Sequence, residues 1–280
     1  MDKNEISQII HDAHERMAPS YGDLDIYGQI PEKNLSHWNY NQNVKQPIEH
    51  ILKQYLRYKS FSMLDAGCGN GQLFHIYASM GAKVICGIDF GIQMLLEARK
   101  RADINKISFS PINGKLEDLP FNNDSFQLIN LYGVLEHLPD PLKVLKELER
   151  IVVPGGILIF SVPRKGSLAW LTYSLFCSSL QSFVMNETLL EKIKSNRKMK
   201  LYRFYSKMEI INLIGSLKKM TLLTRVPVAH GGVVGFPSII LKSLIHIHHG
   251  KYNYIDSWNR FAGHIKLIPA GEYIVLRKNH

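Results

Sequence analysis

The densest chemical signal in this 280-residue chain is Leu64-Asp65-Ala66-Gly67-Cys68-Gly69-Asn70-Gly71. Three glycines at alternate positions allow a tight turn and a close approach of backbone to a ligand. The G-x-G-x-G spacing is not the G-x-G-x-x-G of a dinucleotide pyrophosphate loop, and no P-loop Lys-Ser/Thr follows it. Asp89, roughly 20 residues past the loop at the end of the next apolar run, is placed to accept from both hydroxyls of a ribose. Carboxylates at strand ends need a partner if buried, which singles out Asp65, Asp89 and Asp118. His137 follows a further apolar run, and histidine is the side chain that titrates near neutral pH, so His137 is the candidate general base. Ile245-His-Ile-His-His249 lacks the i, i+4 spacing of a helical metal pair and reads as loop or surface. Cys68, Cys86 and Cys177 are too few and too scattered for a disulfide framework or a CxxC zinc site, and they fit a reducing compartment. Cys68 reads as a small packing residue, because no neighbour in sequence argues for a lowered thiol pKa.

These groups are punctuated by a regular alternation. Phe61–Asp65, Lys83–Asp89, Ile107–Phe109, Phe126–Leu131 and Ile157–Val162 are short apolar runs that predict strands. Ile92–Lys100 and Pro141–Arg150 between them predict helices, the second with proline near its start. Pro154-Gly155-Gly156 predicts a turn before the fifth strand. Strands alternating with helices predict an α/β fold: a doubly wound, mostly parallel, Rossmann-like sheet that binds ligands at its carboxyl edge. Ser206 and Glu209 predict a capping box opening a helix to Ile214. Thr221–Val226 and Glu272–Arg277 predict the last two strands. The expected organisation is an N-terminal helical cap over 1–60, a cofactor-binding core over 61–165 and a helical insert over 166–205. Residues 206–280 complete the core and carry a second insert over about 229–268. The inserts are expected to form a lid.

The composition is that of an ordinary globular chain, 45% hydrophobic and 21% charged, which excludes disorder, collagen and coiled coil as overall descriptions. Lys and Arg number 34 against 24 Asp and Glu, a net charge of +10. Part of that excess lies in Lys192, Lys194, Arg197, Lys198, Lys200 and Arg203, beside the uncharged stretch Gly166–Asn186. The stretch is marginal as a membrane span because of its many hydroxyls. Paired with the basic run, it suits an anionic substrate or peripheral contact with a membrane surface. No aromatic-interleaved basic groove favours nucleic acid. The N-terminus shows no apolar core of a secretory signal, so a cytoplasmic location is expected. The sequence leaves the oligomeric state open.

Five motifs in order carry a family resemblance: LDAGCGNG, then Gly87-Ile88-Asp89, Gly114–Phe121, Val134–Pro141 and Leu148–Gly156. The chain resembles the class I S-adenosylmethionine-dependent methyltransferases, and most of all their small-molecule branch that includes the quinone-biosynthesis methyltransferases. The resemblance spans about 60–162, with a weaker echo in Tyr202–Ser206 and the last strand. It implies S-adenosylmethionine as cofactor. Asp65, Gly67, Gly69 and Gly71 would hold its methionine end and Asp89 its ribose. Phe90 or Met94 would pack on the adenine, Asp118 would accept from the adenine amino group with the Leu119 backbone beside it, Glu117 would be a further cofactor contact, and the Leu131 carbonyl would approach the cofactor amino group. Tyr21, Trp38, Arg164, Tyr202 and Arg203 are the candidate substrate contacts.

Two positions depart from the family pattern. Gln127 stands where an aspartate is usual, a change expected to alter a structural hydrogen bond. Gly133 stands where some quinone O-methyltransferases place an acidic metal ligand. Only Glu136 and His137 of that set remain, so no metal is assigned. The expected reaction is methyl transfer to a hydroxyl of a small-molecule or lipid-linked acceptor. The alternatives are an RNA or protein methyltransferase and a cofactor-binding regulatory protein without turnover.

Overall fold

The computed structural model describes Gln8 and residues 44–167, 203–228 and 271–280. Seven strands form one sheet in the order β3-β2-β1-β4-β5-β7-β6. They are β1 (Phe61–Ala66), β2 (Ala82–Asp89), β3 (Phe109–Asn113), β4 (Phe126–Leu131), β5 (Val152–Pro163), β6 (Met220–Val228) and β7 (Gly271–Lys278). Pairing is parallel from β3 to β5, and β7 runs antiparallel to both its neighbours. Strand order reverses direction between β1 and β4, so the carboxyl ends of those two strands open a crevice in which α/β sheets bind ligands.

Side chains alternate between two packed faces, as the period of a strand demands. On one face Leu64, Leu158, Phe160, Ile274 and Leu276 join one core. On the other Met63, Ile157, Ile159, Tyr273 and Val275 join a second. Helix α1 (Gln46–Tyr55) sinks Ile48, Ile51 and Leu52 into the second core, and α2 (Phe74–Ser79) and α3 (Ile92–Ile104) cover the same face. Helix α4 (Pro141–Ile151) starts with Pro141 behind Asp140, whose side chain accepts from the Lys143 amide at 3.2 Å. It buries Val144, Leu145, Leu148 and Ile151 completely in the first core. Each such side chain contributes roughly 1.5–3 kcal/mol, so Leu148→Ala alone would cost about 2–5 kcal/mol. Helix α5 (Lys207–Gly215) opens on the expected capping box. Ser206 N–H donates to Glu209 Oε2 at 2.7 Å, and Glu209 N–H donates to Ser206 Oγ at 3.2 Å.

Two strands differ from their sequence reading. β3 begins at Phe109, not at Ile107, because the Ile107 amide turns back to the Ala102 carbonyl to close α3. It runs through Pro111, which an edge strand tolerates because it needs only one side of its ladder. β5 begins at Val152 and carries Pro154-Gly155-Gly156 inside it as a bulge, not as a turn before it. Phe126 pairs with Val152 and Leu128 with Ile157, so β5 gains three residues over β4 in that interval. At position 127 the side chain makes a structural hydrogen bond: Gln127 Oε1 accepts the Ser62 amide at 2.8 Å and ties β4 to β1.

Among the described residues no helix is long and apolar enough to cross a membrane, and no group of three or more His, Cys, Asp or Glu gathers to hold a metal. Most of Gly166–Asn186, the basic run, the second insert and His246, His248 and His249 lie outside the described residues.

Candidate active site

The glycine loop begins where β1 ends. Gly67 and Cys68 both donate to the Ile88 carbonyl, at 2.8 and 3.1 Å, which ties the loop to the end of β2. Gly67 has φ +71°, and a Cβ there would collide with Val134 Cγ2. Gly69 has φ +50°, and the space where its Cβ would stand is open. The first glycine is thus required by close packing under the loop, and the second leaves backbone accessible above it.

Asp89 organises this loop. Its Oδ2 accepts the Gly69 amide at 2.9 Å and its Oδ1 accepts the Gly91 amide at 2.8 Å, with the residue 3% exposed. Asp65 is equally buried at the end of β1. Burial is the largest influence on its carboxyl and pushes it up to about 7; the Asn130 hydrogen bond opposes this, and the charge of Asp89 adds to it. No basic side chain is among those influences. Asn130 Nδ2 donates to Asp65 Oδ1 at 2.7 Å across the β1–β4 pair, while Asn130 Oδ1 is buried with no hydrogen-bond partner among the described residues. Burial raises the Cys68 thiol as well, with Asp65 and Asp89 adding to the shift, and Cys68 packs into the second core as a small buried residue.

The other cofactor-site candidates surround this centre. Phe90 is half-buried, and its carbonyl accepts from Asn113 Nδ2 at 3.0 Å. Met94 is 2% exposed in the first turn of α3. Glu117 is half-buried, Asp118 exposed and Leu119 buried. Their loop is pinned from α4. Glu147 Oε2 accepts the Leu119 amide at 3.3 Å, and Arg150 donates to the carbonyls of Leu119 and Phe121 at 3.1 and 2.7 Å. The Leu119 side chain belongs to the first core. Leu131, fully buried, ends β4.

Beyond β4 the chain turns through a short 3-10 helix, Leu135–His137. The returning segment clamps this turn. Arg203 N–H donates to the Glu136 carbonyl at 3.0 Å and Tyr205 Oη–H to the Leu135 carbonyl at 2.9 Å. His137 is half-buried, and its amide donates to Val134 at 2.9 Å. Glu136 is 4% exposed; burial pushes its carboxyl up to about 7, and its Oε2 has no hydrogen-bond partner among the described residues. Arg164 lies just past β5 with Nε 4.0 Å from Glu272 Oε1. Arg225 Nε donates to Glu272 Oε2 at 3.0 Å, and a second guanidinium nitrogen of Arg225 bonds Oε1. Arg203 is exposed. Tyr21, Trp38 and Tyr202 lie outside the described residues.

Asn130, Glu147, Arg150 and Glu272 were not singled out by sequence. Asn130 had a visible signal, as a polar side chain near the carboxyl end of the mainly apolar strand Phe126–Leu131. The others act through partners distant in sequence.

This edge fits S-adenosylmethionine. Buried Asp65 lacks a protein cation among the influences on it, Asn130 Oδ1 is an acceptor unfilled among the described residues, and open backbone lies over Gly69. A ligand bearing a sulfonium, an ammonium and a ribose would complement all three. Residues 64–160 match the family model described as a methyltransferase domain. The chain is 30% identical over 182 residues to the ubiquinone biosynthesis O-methyltransferase of Actinobacillus pleuropneumoniae, covering 60% of this chain and 70% of that protein. Its counterpart in Coxiella burnetii is 29% identical over 163 residues, covering 55% and 69%. The fold is also similar to that of magnesium protoporphyrin IX methyltransferase from Synechocystis PCC 6803 with bound SAH. There the TM-score is 0.60 at 13% identity, over 98% of this chain and all of that one. Glycine loop, acidic strand ends, sheet order and these likenesses agree, and the chain belongs to the class I S-adenosylmethionine-dependent methyltransferases, with S-adenosylmethionine as its cofactor.

Proposed function

We propose that the protein methylates a hydroxyl of a small-molecule or lipid-linked acceptor, an acceptor of ubiquinone biosynthesis being the first candidate after the name of its 30%-identical relative. The observation that carries this reading is His137 at the end of a clamped turn just beyond β4, the strand paired with the one that bears Asp65. When bound, S-adenosylmethionine supplies a methyl group on positively charged sulfur, so transfer to oxygen breaks one S–C bond, forms one C–O bond and leaves a neutral thioether. His137 takes the hydroxyl proton as general base. Asp65, Gly67, Gly69 and Gly71 cradle the methionine end, and Asp89 holds the ribose. Phe90 and Met94 flank the adenine, and Glu117, Asp118, Leu119 and Leu131 complete the cofactor contacts. Tyr21, Trp38, Arg164, Tyr202 and Arg203 face the acceptor.

In the same reading, residues 61–165 and the later strands form the cofactor core, with the helical cap over 1–60 and the inserts over 166–205 and about 229–268 arranged as a lid. Clamping of the Leu135–His137 turn by Arg203 and Tyr205 supports a connection between the end of the first insert and the reacting edge. The uncharged and basic stretches of 166–203 suit an apolar acceptor carried at a membrane surface. The test is incubation with methyl-labelled S-adenosylmethionine and catechol-type or polyprenyl-phenol acceptors. Label recovered in a methyl ether supports the proposal. Label confined to RNA or protein, or cofactor bound without consumption in the presence of all these acceptors, overturns it.

A further inference from the structure

We propose that Arg164 sets acceptor specificity: its guanidinium, left over beside the closed Arg225–Glu272 pair, binds a carboxylate carried by the acceptor. The inference rests on reading this part of the sheet edge as the acceptor end, and it names a charge that the acceptor bears. Arg164 follows β5 directly, Glu272 is the second residue of β7, and Arg225 lies on β6. Glu272 pairs with Val162 on one side and with Pro227 on the other, so the end of β5, the start of β7 and the later part of β6 meet at one edge. Glu272 is buried, and Arg225 occupies both of its oxygens. That fork-on-carboxylate pair is complete in itself. Arg164 is held differently. Its Nε stands 4.0 Å from Glu272 Oε1, beyond hydrogen-bond range, and no described residue accepts a hydrogen bond from its guanidinium. Two guanidinium charges therefore face one carboxylate. The uncompensated charge belongs to Arg164, whose side chain is 29% exposed and open to a ligand. The backbone beneath it is fixed. Lys165 N–H donates to the Tyr205 carbonyl at 2.8 Å, Tyr205 N–H to the Pro163 carbonyl at 2.9 Å, and Ser167 Oγ–H to the Arg164 carbonyl at 2.8 Å. Tyr205 also donates its hydroxyl to the Leu135 carbonyl, so one residue braces both Arg164 and the turn that ends in His137. A carboxylate matches the free fork in shape and in single charge. A phosphate dianion would bring a second negative charge toward Glu272, which like-charge repulsion opposes.

The test compares catechol acids with their neutral amides: dihydroxybenzoate, dihydroxyphenylacetate and dihydroxyphenylpropionate, each against its own amide. The readouts are kcat/KM for methyl transfer and calorimetric affinity for the complex with S-adenosylhomocysteine. With the wild type, at least one acid is expected to exceed its amide by about tenfold or more, the size of one charge-assisted hydrogen bond. In Arg164→Gln that ratio is expected to fall to within about twofold of unity, through KM more than kcat, because the bond is made to bound acceptor and to transition state alike. Affinity for S-adenosylhomocysteine alone should not change, which shows that the fold is intact. Acids and amides alike in the wild type, a preference that survives in Arg164→Gln, or a preference lost together with cofactor affinity would each overturn the proposal. So would a catechol phosphonate preferred over every acid. Should Arg164→Gln not fold, Arg164→Lys decides, since it keeps the charge beside Glu272 and loses the fork. A ratio lowered at least about threefold supports the proposal, and an unchanged ratio rejects it. The two readings fail apart. If no catechol is methylated but the bound acids outrank their amides through Arg164, the anion site stands and methylation of these hydroxyls falls. If acids and amides are methylated equally well, methylation stands and the anion site falls.

Discussion

The two ends of the ligand edge are built by different means. Around the glycine loop the described contacts fall within residues 67–91, and the loop is held largely by backbone: Gly67 and Cys68 donate to Ile88, and Gly69 and Gly91 donate to Asp89. Around the turn after β4 and the start of β7, the proposed acceptor end, the described contacts join segments far apart in the chain. Arg225 meets Glu272 across 47 residues, and Tyr205 reaches Leu135 across 70. A backbone-built site depends on where glycine permits a conformation and on which strand end carries a carboxylate. A site assembled from side chains of distant segments depends on the whole fold, and its specificity can change without disturbing the cofactor end. The comparison therefore predicts that damage at one end leaves the other largely intact.

The largest effect should come from His137→Ala. Loss of a general base lowers kcat by about 10²–10⁴-fold, while S-adenosylmethionine affinity by calorimetry stays unchanged. Equal losses in both would show that the two ends are not separable. Arg225→Met comes next, because it removes both hydrogen bonds of the guanidinium to Glu272, whose side chain is 4% exposed, and leaves it only the more distant Arg164 at 4.0 Å among the described residues. Chemical denaturation should show a loss of roughly 3 kcal/mol, the low end for a broken buried pair because Arg225 keeps some water contact. Cofactor binding by the remaining folded protein should be normal.

Glu136→Gln sharpens the comparison through pH. Burial raises this carboxyl to about 7 from an ordinary 4.5, so the folded protein keeps a proton that the unfolded chain releases in that interval. The contribution to stability is complete below pH 4.5 and is lost as pH rises through 7. Removing the titration should make the variant more stable than the wild type by roughly 2–3 kcal/mol at pH 8 relative to pH 5. Asp65 shifts in the same direction, so some slope should persist in denaturation curves of the variant across that range. The smallest effect should be that of Lys165→Ala. Its ion pair with Glu209 is nearly half exposed on both sides, and its loss should cost less than about 1 kcal/mol in the same assay.

The same contrast explains what could be read from sequence. The strand–helix alternation, the glycine loop and the Ser206–Glu209 capping box are local, and they stand in the structure within a few residues of expectation. β3 was misplaced because Pro111 hid a strand that only its edge position allows. The bulge in β5 was read as a turn because proline and two glycines give the same local signal in either setting. Arg225, Glu272 and the pinning of the Leu119 loop by Glu147 and Arg150 had no local signal, since each depends on which elements the sheet brings side by side.

The central claim is that the acidic strand ends and glycine loop bind S-adenosylmethionine, and calorimetric titration of the wild type and Asp89→Ala with that cofactor tests it most directly. The account predicts saturable one-site binding by the wild type and an affinity at least about tenfold weaker in the variant, the loss expected when a charge-assisted ribose contact and the anchor of the Gly69 amide disappear together. Unchanged affinity in a folded Asp89→Ala protein would contradict it.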